Sequence, residues 1–599
     1  MNLKKLMMSF FLLCAVTVMI FAGPTDNRQK IYPVDSDVFD AITYLYINQG
    51  LALPSTSGPW SEAELLSMLD KIDKDQFDEA MASAYTYVES VLSQDAKIKA
   101  KGVDFSWNFD ATLEGYYHTN TTAFVGRETW IRDFIDQKPL LAASLETWPS
   151  TSFYGYSEFT VANTNSIEGP NSDGFGFGST SLSSNIIILP PAVLNDLDFN
   201  MPYRAFVAAG GDHWTFQLGR DRLSWGAGES GNLMLGDNLK YHNMGRFTAY
   251  GEKYKYTFVT SFFPHSTAYM DSGFPGSTTT PTTGDGQGDP IVGINLFMSH
   301  RLEWRMFKDK VGLTINESIM YQSEENTFDL RFLNPAMIFH DYYIRSNANS
   351  ILGIELDYTP IKGLNIYGQA VVDEFSLPGE PVPSATEVNY PVTFGYLAGV
   401  KGTFGVDNYV GHASFEFAFT DPFLYLRYEE NSGASATTPD VYHLNYVGVI
   451  REFTNGAGTQ YNADFIGYKY GGDALVINFN GGLRDFGKWQ VSANAFYMIH
   501  GTFDIYTAWS RVGGSSGVSH EISTPTTDHP TYNYDDPTAQ ATRDSASNTL
   551  VIGASGSYQV AKGLKAFGQL DYININNYKN VSGNTASDVQ LTIGVTYSL

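Results

Sequence analysis

Residues Leu218–Asn238 read LGRDRLSWGAGESGNLMLGDN and gather the side chains best suited to binding chemistry. Arg220, Arg222, Trp225, Glu229, Asn232, Asp237 and Asn238 sit there among the flexible glycines Gly226, Gly228 and Gly231. A saccharide is held by a flat aromatic face against its C–H groups and by planar polar groups on adjacent hydroxyls. Trp225 and its amide and carboxylate neighbours supply both. The same mixture suits a loop folded into a barrel lumen, its arginines paired with carboxylates such as Glu355, Asp357, Asp373 or Glu374. Buried charge needs such partners. The two readings are compatible.

Other chemistry is sparse. The 11 histidines are scattered, and no His-Glu-x-x-His or strand-to-helix Gly-x-Ser-x-Gly motif occurs. A hydrolase site assembled from separate strands is the enzymatic alternative, with lone barrel histidines the simpler reading. Gly174–Gly178 (GFGFG) lacks the strand-to-helix setting that cradles phosphate. Asp285 and Asp289 in GDGQGD could hold a calcium ion, although one copy of such a segment is more often a plain turn. The expectation is a non-enzyme with no metal and no cofactor.

The elements that position these residues follow from composition and period. The chain has 599 residues, 15% aromatic and 17% charged, with 56 glycines. Soluble domains usually carry about 25% charged residues. A net charge of -27 has the wrong sign for gripping nucleic acid, which is excluded as a partner. Residues 1–22 have a basic start and an apolar run, and read as a secretory signal peptide; a retained anchor is the alternative. The one cysteine, Cys14, lies in that run, so the mature chain is expected to lack disulfides and thiol chemistry. An exported chain with no other long apolar run can still span a membrane as a closed β-barrel.

Residues 31–100 carry helical signals. Asp35-Ser36 offers an N-cap before Val38, Ile42, Leu45 and Tyr46, and Gly50 a stop. Ser61 with Glu64 makes a capping-box pattern before Leu65, Leu66 and Leu69. Phe77, Ala80, Ala84, Val88 and Val91 share a third helical face. The spacing predicts a small three-helix domain, expected in the periplasm.

From Val103 to Leu599 the period becomes two. Val589, Leu591, Ile593, Val595 and Tyr597 alternate with polar residues. Leu352, Ile354, Leu356 and Tyr358 oppose Glu355 and Asp357, and Leu364, Ile366, Ala370 and Val372 oppose Asn365, Gln369 and Asp373. Short turns near 210–213, 251–255, 307–310, 360–363, 405–408, 485–488 and 560–563 alternate with long polar stretches. That is the signature of an outer-membrane barrel, here mainly β, transmembrane and antiparallel with about 18–20 strands. Outer-membrane lipid would then surround one face of every strand, with the long loops extracellular. A soluble β-propeller is the alternative, but no blade repeat of ~40–45 residues is present. The final segment ends in Tyr597 and Leu599, where the outer-membrane barrel assembly machinery commonly reads a terminal aromatic.

The order of several segments resembles the capsule assembly protein Wzi family. Trp225-Gly226-Ala227-Gly228 with Asn232-Leu233-Met234-Leu235-Gly236-Asp237-Asn238 is similar to that family's Trp-Gly-Pro-Gly…Leu-x-Leu-Ser-x-Asn stretch, departing from it at Ala227 and Gly236. Asn334-Pro335…His340, Tyr367-Gly368-Gln369…Asp373-Glu374, the Tyr44-Leu45 helix with Gly50, and the Ser61–Leu69 helix follow in kind. The resemblance implies an outer-membrane barrel with a periplasmic helical bundle, closed to free diffusion, acting as a lectin for capsular polysaccharide. Three functions are thus in view. They are a barrel binding capsular or extracellular polysaccharide, a porin-like or substrate-specific channel, and an adhesin using the loops at 272–290 and 502–547.

Overall fold

The computed structural model describes residues 29–100, 102–124, 131, 137–161, 181–186, 204–263, 294–323, 348–373, 392–427, 445–454, 458–503, 505, 521–523 and 543–599. The expected signal peptide, Gly174–Gly178, the calcium candidates Asp285 and Asp289, Asn334-Pro335, His340 and Glu374 lie outside the described residues.

Three helices come first: α1 (Asp37–Gln49), α2 (Glu62–Leu69) and α3 (Glu79–Leu92). Ser36 caps α1 by accepting from the Val38 amide, and Gly50 ends it at φ +81°, a conformation that favours glycine. Asp78 caps α3 through the Met81 amide at 2.8 Å, so Phe77 falls before the helix rather than on its face. Ser61 caps α2 through the Glu64 amide as expected, but the reciprocal half of the capping box is replaced. The Glu64 carboxylate instead reaches Lys255 of the barrel, 2.5 Å away.

The barrel strands are β1 (Val103–His118), β2 (Leu141–Ser150), β3 (Phe153–Val161), β4 (Ala205–Gly211), β5 (Trp214–Asp221) and β6 (His242–Tyr250). Next come β7 (Tyr254–Phe263), β8 (Ile294–Met306), β9 (Val311–Ser323), β10 (Ala348–Ile361), β11 (Leu364–Asp373) and β12 (Thr393–Val406). The last are β13 (Tyr409–Thr420), β14 (Ala474–Asp485), β15 (Trp489–His500), β16 (Ser547–Ala561), β17 (Leu564–Asn576) and β18 (Thr585–Ser598). Each pairs antiparallel with its sequence neighbours, and β18 closes on β1 from Gln590↔His118 to Ser598↔Asp110, making a closed 18-strand barrel. Two short strands, Ile98–Ala100 and Leu182–Ser184, add to β1. Closure leaves no unpaired sheet edge, the condition for a sheet to cross hydrocarbon. Among the described residues no helix is long and apolar enough to cross a membrane.

Alternation sorts the wall as the period-two pattern requires. Ile354, Leu356 and Tyr358 are exposed on the outer face, while Asp357 and Glu355 between them point inward to partners in the lumen. Outer-face aromatics gather near the short turns (Trp107, Trp214, Tyr254, Tyr558, Tyr597) and again toward the long loops (Tyr117, Phe159, Phe262, Phe394), flanking an aliphatic band. Such paired girdles mark the two interfaces of a bilayer-spanning barrel. Gly363 and Gly563 occupy equivalent hairpin turns at φ +83° and +76°, which accounts for the Lys-Gly-Leu echo in the sequence.

The helices do not keep a core to themselves. They pack on the short-turn end of the barrel, where Val410 and Phe486 join Ile42, Leu45, Leu65, Met81, Ala84 and Val88 in one apolar cluster. Backbone bonds tie the two parts: Gly363 N–H to Ile47 C=O at 2.8 Å and Ala52 N–H to Asp309 C=O at 2.6 Å. Arg484 at the end of β14 bonds Asp37 and Asp40 of α1 at 2.5 and 2.9 Å. Burial holds the Asp40 carboxyl above its ordinary range despite that guanidinium.

The segment after α1 threads into the lumen among buried charges. Ser57 donates to Glu303 at 2.7 Å, while Lys255 and Arg246 donate to the Ser57 carbonyl at 3.0 and 3.1 Å. Arg301 bonds Glu303 at 3.0 Å, grips Glu355 with both terminal nitrogens, and donates to Thr56 at 2.9 Å. Arg305 bonds the Leu53 carbonyl at 3.0 Å, and the Leu53 amide donates to Asp357 at 2.7 Å. Removing one member strands its partner in a dry site. We expect Arg301→Met to destabilise the folded barrel by about 3–5 kcal/mol. Thermal unfolding in detergent, followed by heat-dependent gel migration, would show it. A double Arg301→Met, Glu355→Gln variant should recover part of the loss.

Candidate functional site

Of the Leu218–Asn238 segment, Leu218–Asp221 completes strand β5 of the wall, and the remainder folds into the lumen and forms the centre of a plug. Its Leu223, Trp225, Leu233 and Leu235 are completely buried, in one cluster with Phe297, Met320, Ile351, Leu424, Tyr425 and Tyr446. A second insertion contributes the other side. The chain between β13 and β14 spans residues 421–473 and carries a hairpin, Val447–Thr454 with Gly458–Phe465. Tyr425 and Tyr446 from this insertion stack at 5.5 Å and donate to the carbonyls of Leu233 and Met234.

Trp225 therefore has a role different from the sugar-stacking face its type and neighbours suggest. It is 0% exposed and pairs as a short strand with the threaded N-terminal segment, Ser224↔Gly58 and Trp225↔Ser57. The Gly226 amide adds a bond to Thr56 C=O at 3.2 Å. The Arg301 guanidinium lies 6.0 Å from the indole centroid, at the outer limit of a cation–π contact. A sugar would have to displace protein to reach the ring.

The polar residues of the segment serve the plug in the same way. Glu229 pairs with Lys401 at 2.5 Å, and the Glu229 and Ser230 amides both donate to Glu416 at 2.8 Å. Asn232 accepts from Gly228 N–H and from Gln369 Nε2, and Gln369 in turn accepts from Leu233 N–H. Asn238 donates to the Phe465 and Gly467 carbonyls. The close packing explains the glycines: a Cβ on Gly228 would sit 1.9 Å from the Gly231 carbonyl oxygen.

The two arginines depart from the expected pairing with wall carboxylates. Arg220 lies on β5 with the outward parity, because Gln217, Gly219 and Asp221 take the inward positions. It donates to Asn243 at 3.0 Å and stacks 3.9 Å from the Tyr241 ring centroid. Arg222 bonds Asp237 of its own loop at 3.3 Å and approaches Asp35 at 3.8 Å. Glu355 and Asp357 are taken by Arg301 and the Leu53 amide, and Asp373 accepts from the Tyr425 amide at 3.0 Å. Arg222, Asp237 and Asp35 retain 21%, 51% and 66% side-chain exposure, so this trio meets water on the plug's flank.

The cations that hold the plug, Arg246, Lys255, Arg301, Arg305 and Lys401, carry a sequence signal that a loop-centred reading passes over. In His300-Arg301-Leu302-Glu303-Trp304-Arg305 the charges alternate with apolar residues, the mark of a charged inward ladder. Among the described residues no group of His, Cys, Asp and Glu is placed to hold a metal ion.

Two consequences can be measured. Trp225→Ala removes a buried indole, and we expect a loss of about 3–5 kcal/mol in unfolding free energy, read from thermal unfolding in detergent. For Glu229, burial pushes the carboxyl up but the Lys401 charge and hydrogen bond outweigh it, leaving it below the ordinary glutamate range. A depressed folded value means stabilisation present above the unfolded pKa and lost as pH falls through the folded one. The difference in melting temperature between the native chain and Glu229→Gln should thus be largest near neutral pH. It should shrink and vanish as the pH drops below the ordinary glutamate range.

No known protein family matches this sequence, and no curated protein matches it. Solved structures do. The chain is similar to Wzi of Escherichia coli, an outer-membrane protein involved in group 1 capsule assembly and a carbohydrate-binding β-barrel. Identity is 13%, covering 94% of this chain and 98% of Wzi with a TM-score of 0.53. The outer-membrane channel DcaP of Acinetobacter baumannii matches over 84% of this chain and 100% of its own, at 8% identity and a TM-score of 0.32. A variant of OccD1 (OprD) matches over 84% and 99%, at 9% identity and 0.35. The chain has the fold of an outer-membrane β-barrel like that of Wzi, and the likeness is one of fold.

Proposed function

We propose that this chain is an outer-membrane barrel that binds capsular or extracellular polysaccharide and supports its attachment or assembly at the cell surface. The observation that carries the reading is the plug: covalently continuous, buried protein crosses the lumen and closes it toward the long loops rather than leaving an aqueous pore. A general porin needs an open lumen. A barrel so filled offers ligands its loops, and the likeness to a carbohydrate-binding barrel agrees with a saccharide ligand. The role is binding and not catalysis.

The helices and short turns share one end, which we place in the periplasm with the signal peptide removed; the long loops then face outward. The polymer-binding surface lies on those loops rather than on Trp225, since Trp225 is enclosed. The segment between β15 and β16 is rich in Ser, Thr, Asp and Tyr, which suits hydroxyl recognition. Deleting residues 508–540 should lower retention of the host strain's purified polysaccharide by at least tenfold, measured with the protein in detergent or nanodiscs. Full retention by a folded deletion variant would move the site elsewhere. Absence of binding by the native chain would remove the reading and leave transport or adhesion.

A further inference from the structure

The plug is eccentric. Inward side chains of β6–β11 are almost all buried against it, including His242, Arg246, Thr257, Ser299, Arg301 and Gln369. On the opposite wall, inward residues of β14–β17 stay partly open to water: Asn480, Gln490, Ser492, Asn494, Ser555 and Gln569. Directly paired positions, Asn480↔Asn494, Ser492↔Ser555 and Ser555↔Gln569, join them into a continuous patch facing the lumen.

Exposure falls along the barrel axis. Near the short turns, the inward Lys565 and Ser598 are exposed. Toward the long loops, the paired row Phe496↔Val551↔Ile573↔Asp588 is buried and largely apolar. The helices lie mainly over the neighbouring strands β11–β13 and reach the short-turn end of β14 through Arg484 and Phe486. The space is therefore a blind bay, open toward the short-turn end and sealed toward the long loops.

Its lining selects the ligand class. The patch itself is made of amides and hydroxyls, with charges at its edges: Arg484 beside Gln490, Asp571 beside Gln569, Glu229 beside Asn480, and Lys565 near the mouth. Some of its bonding capacity is used locally: Ser492 to Ser555 at 2.7 Å, Asn494 Nδ2 to Asn478 at 2.9 Å, and Gln569 Nε2 to Asp571 at 2.8 Å. Gln490 Oε1, at the rim, accepts from Arg484 at 2.8 Å. The Asn494 and Gln569 carbonyl oxygens, opposite the amide nitrogens used in those bonds, stand as acceptors for hydroxyl donors. Arg484 is already paired with Asp37 and Asp40, and Glu229 with Lys401. A charged solute would therefore lose hydration on the patch against charges that are spent, whereas a hydroxyl-rich neutral solute exchanges one hydrogen bond for another. We propose that this bay is a second saccharide site, taking a neutral oligosaccharide segment that enters from the short-turn end. The proposal deepens the polysaccharide-binding reading but places a site where that reading puts none.

The test uses the absence of cysteine after residue 14. Purified Ser555→Cys protein, in detergent, is reacted with a hydrophilic maleimide, with and without maltoheptaose, oligosaccharides cut from the host strain's polysaccharide, and dextran sulfate. We expect ready labelling, slowed at least fivefold by one or both of the uncharged or weakly charged oligosaccharides and unchanged by dextran sulfate. Adding Asn494→Leu and Gln569→Leu should restore the unprotected rate while leaving labelling itself intact. A thiol that does not react overturns the open bay. Labelling that no oligosaccharide slows, or that dextran sulfate slows equally, overturns the saccharide site. Loss of loop-dependent polymer binding with this protection intact would instead sink only the surface reading.

Discussion

The fold hinges on one set of buried charges. Arg246, Lys255, Arg301 and Arg305 from β6–β8 meet Glu64, Glu303, Glu355 and Asp357 around the backbone of residues 53–57. In a low dielectric these groups are tolerable only together, since each one's desolvation is offset by its neighbours. The set binds three parts of the chain at once. Glu64 brings the helices, Ser57 brings the threaded segment, and that segment pairs with Ser224 and Trp225 of the plug.

Because the anchors lie on β6–β10, the plug is pulled to that side of the barrel. Its apolar core then forms against the same wall, through Val259, Phe297, Met320, Ile351 and Val371. The Glu416 carboxylate extends the anchoring by accepting from two plug amides and from Tyr367. The far wall holds the plug more lightly, through Asn480 to Glu229, and the amides and hydroxyls of its inward patch are partly wet. Position of charge thus decides where the lumen is solid and where it is open.

Much of the barrel is legible in the sequence because alternation is a local signal. Glu355 and Asp357 inward against Leu356 and Tyr358 outward, and the Gly363 and Gly563 turns, need only a few neighbouring residues. The helices are equally local, set by Ser36, Gly50 and Ser61. The turn at Thr151-Ser152 carries neither glycine nor proline, so its residue types do not mark it. What the sequence hides is the long-range pairing. Nothing near Glu64 indicates Lys255, and nothing near Trp225 indicates Ser57. Trp225 looks available because its neighbours are polar, yet those neighbours are consumed by bonds within the plug. Arg220 looks like a lumen residue, but the strand continues through Asp221 and its parity turns it outward.

A plugged lumen is the claim from which the functional reading follows, and conductance tests it most directly. Purified protein inserted in planar lipid bilayers should give no stable porin-sized current steps, because the apolar row at Phe496, Val551 and Ile573 and the anchored plug together close the path. Regular, long-lived open-channel steps from the intact chain would contradict the account.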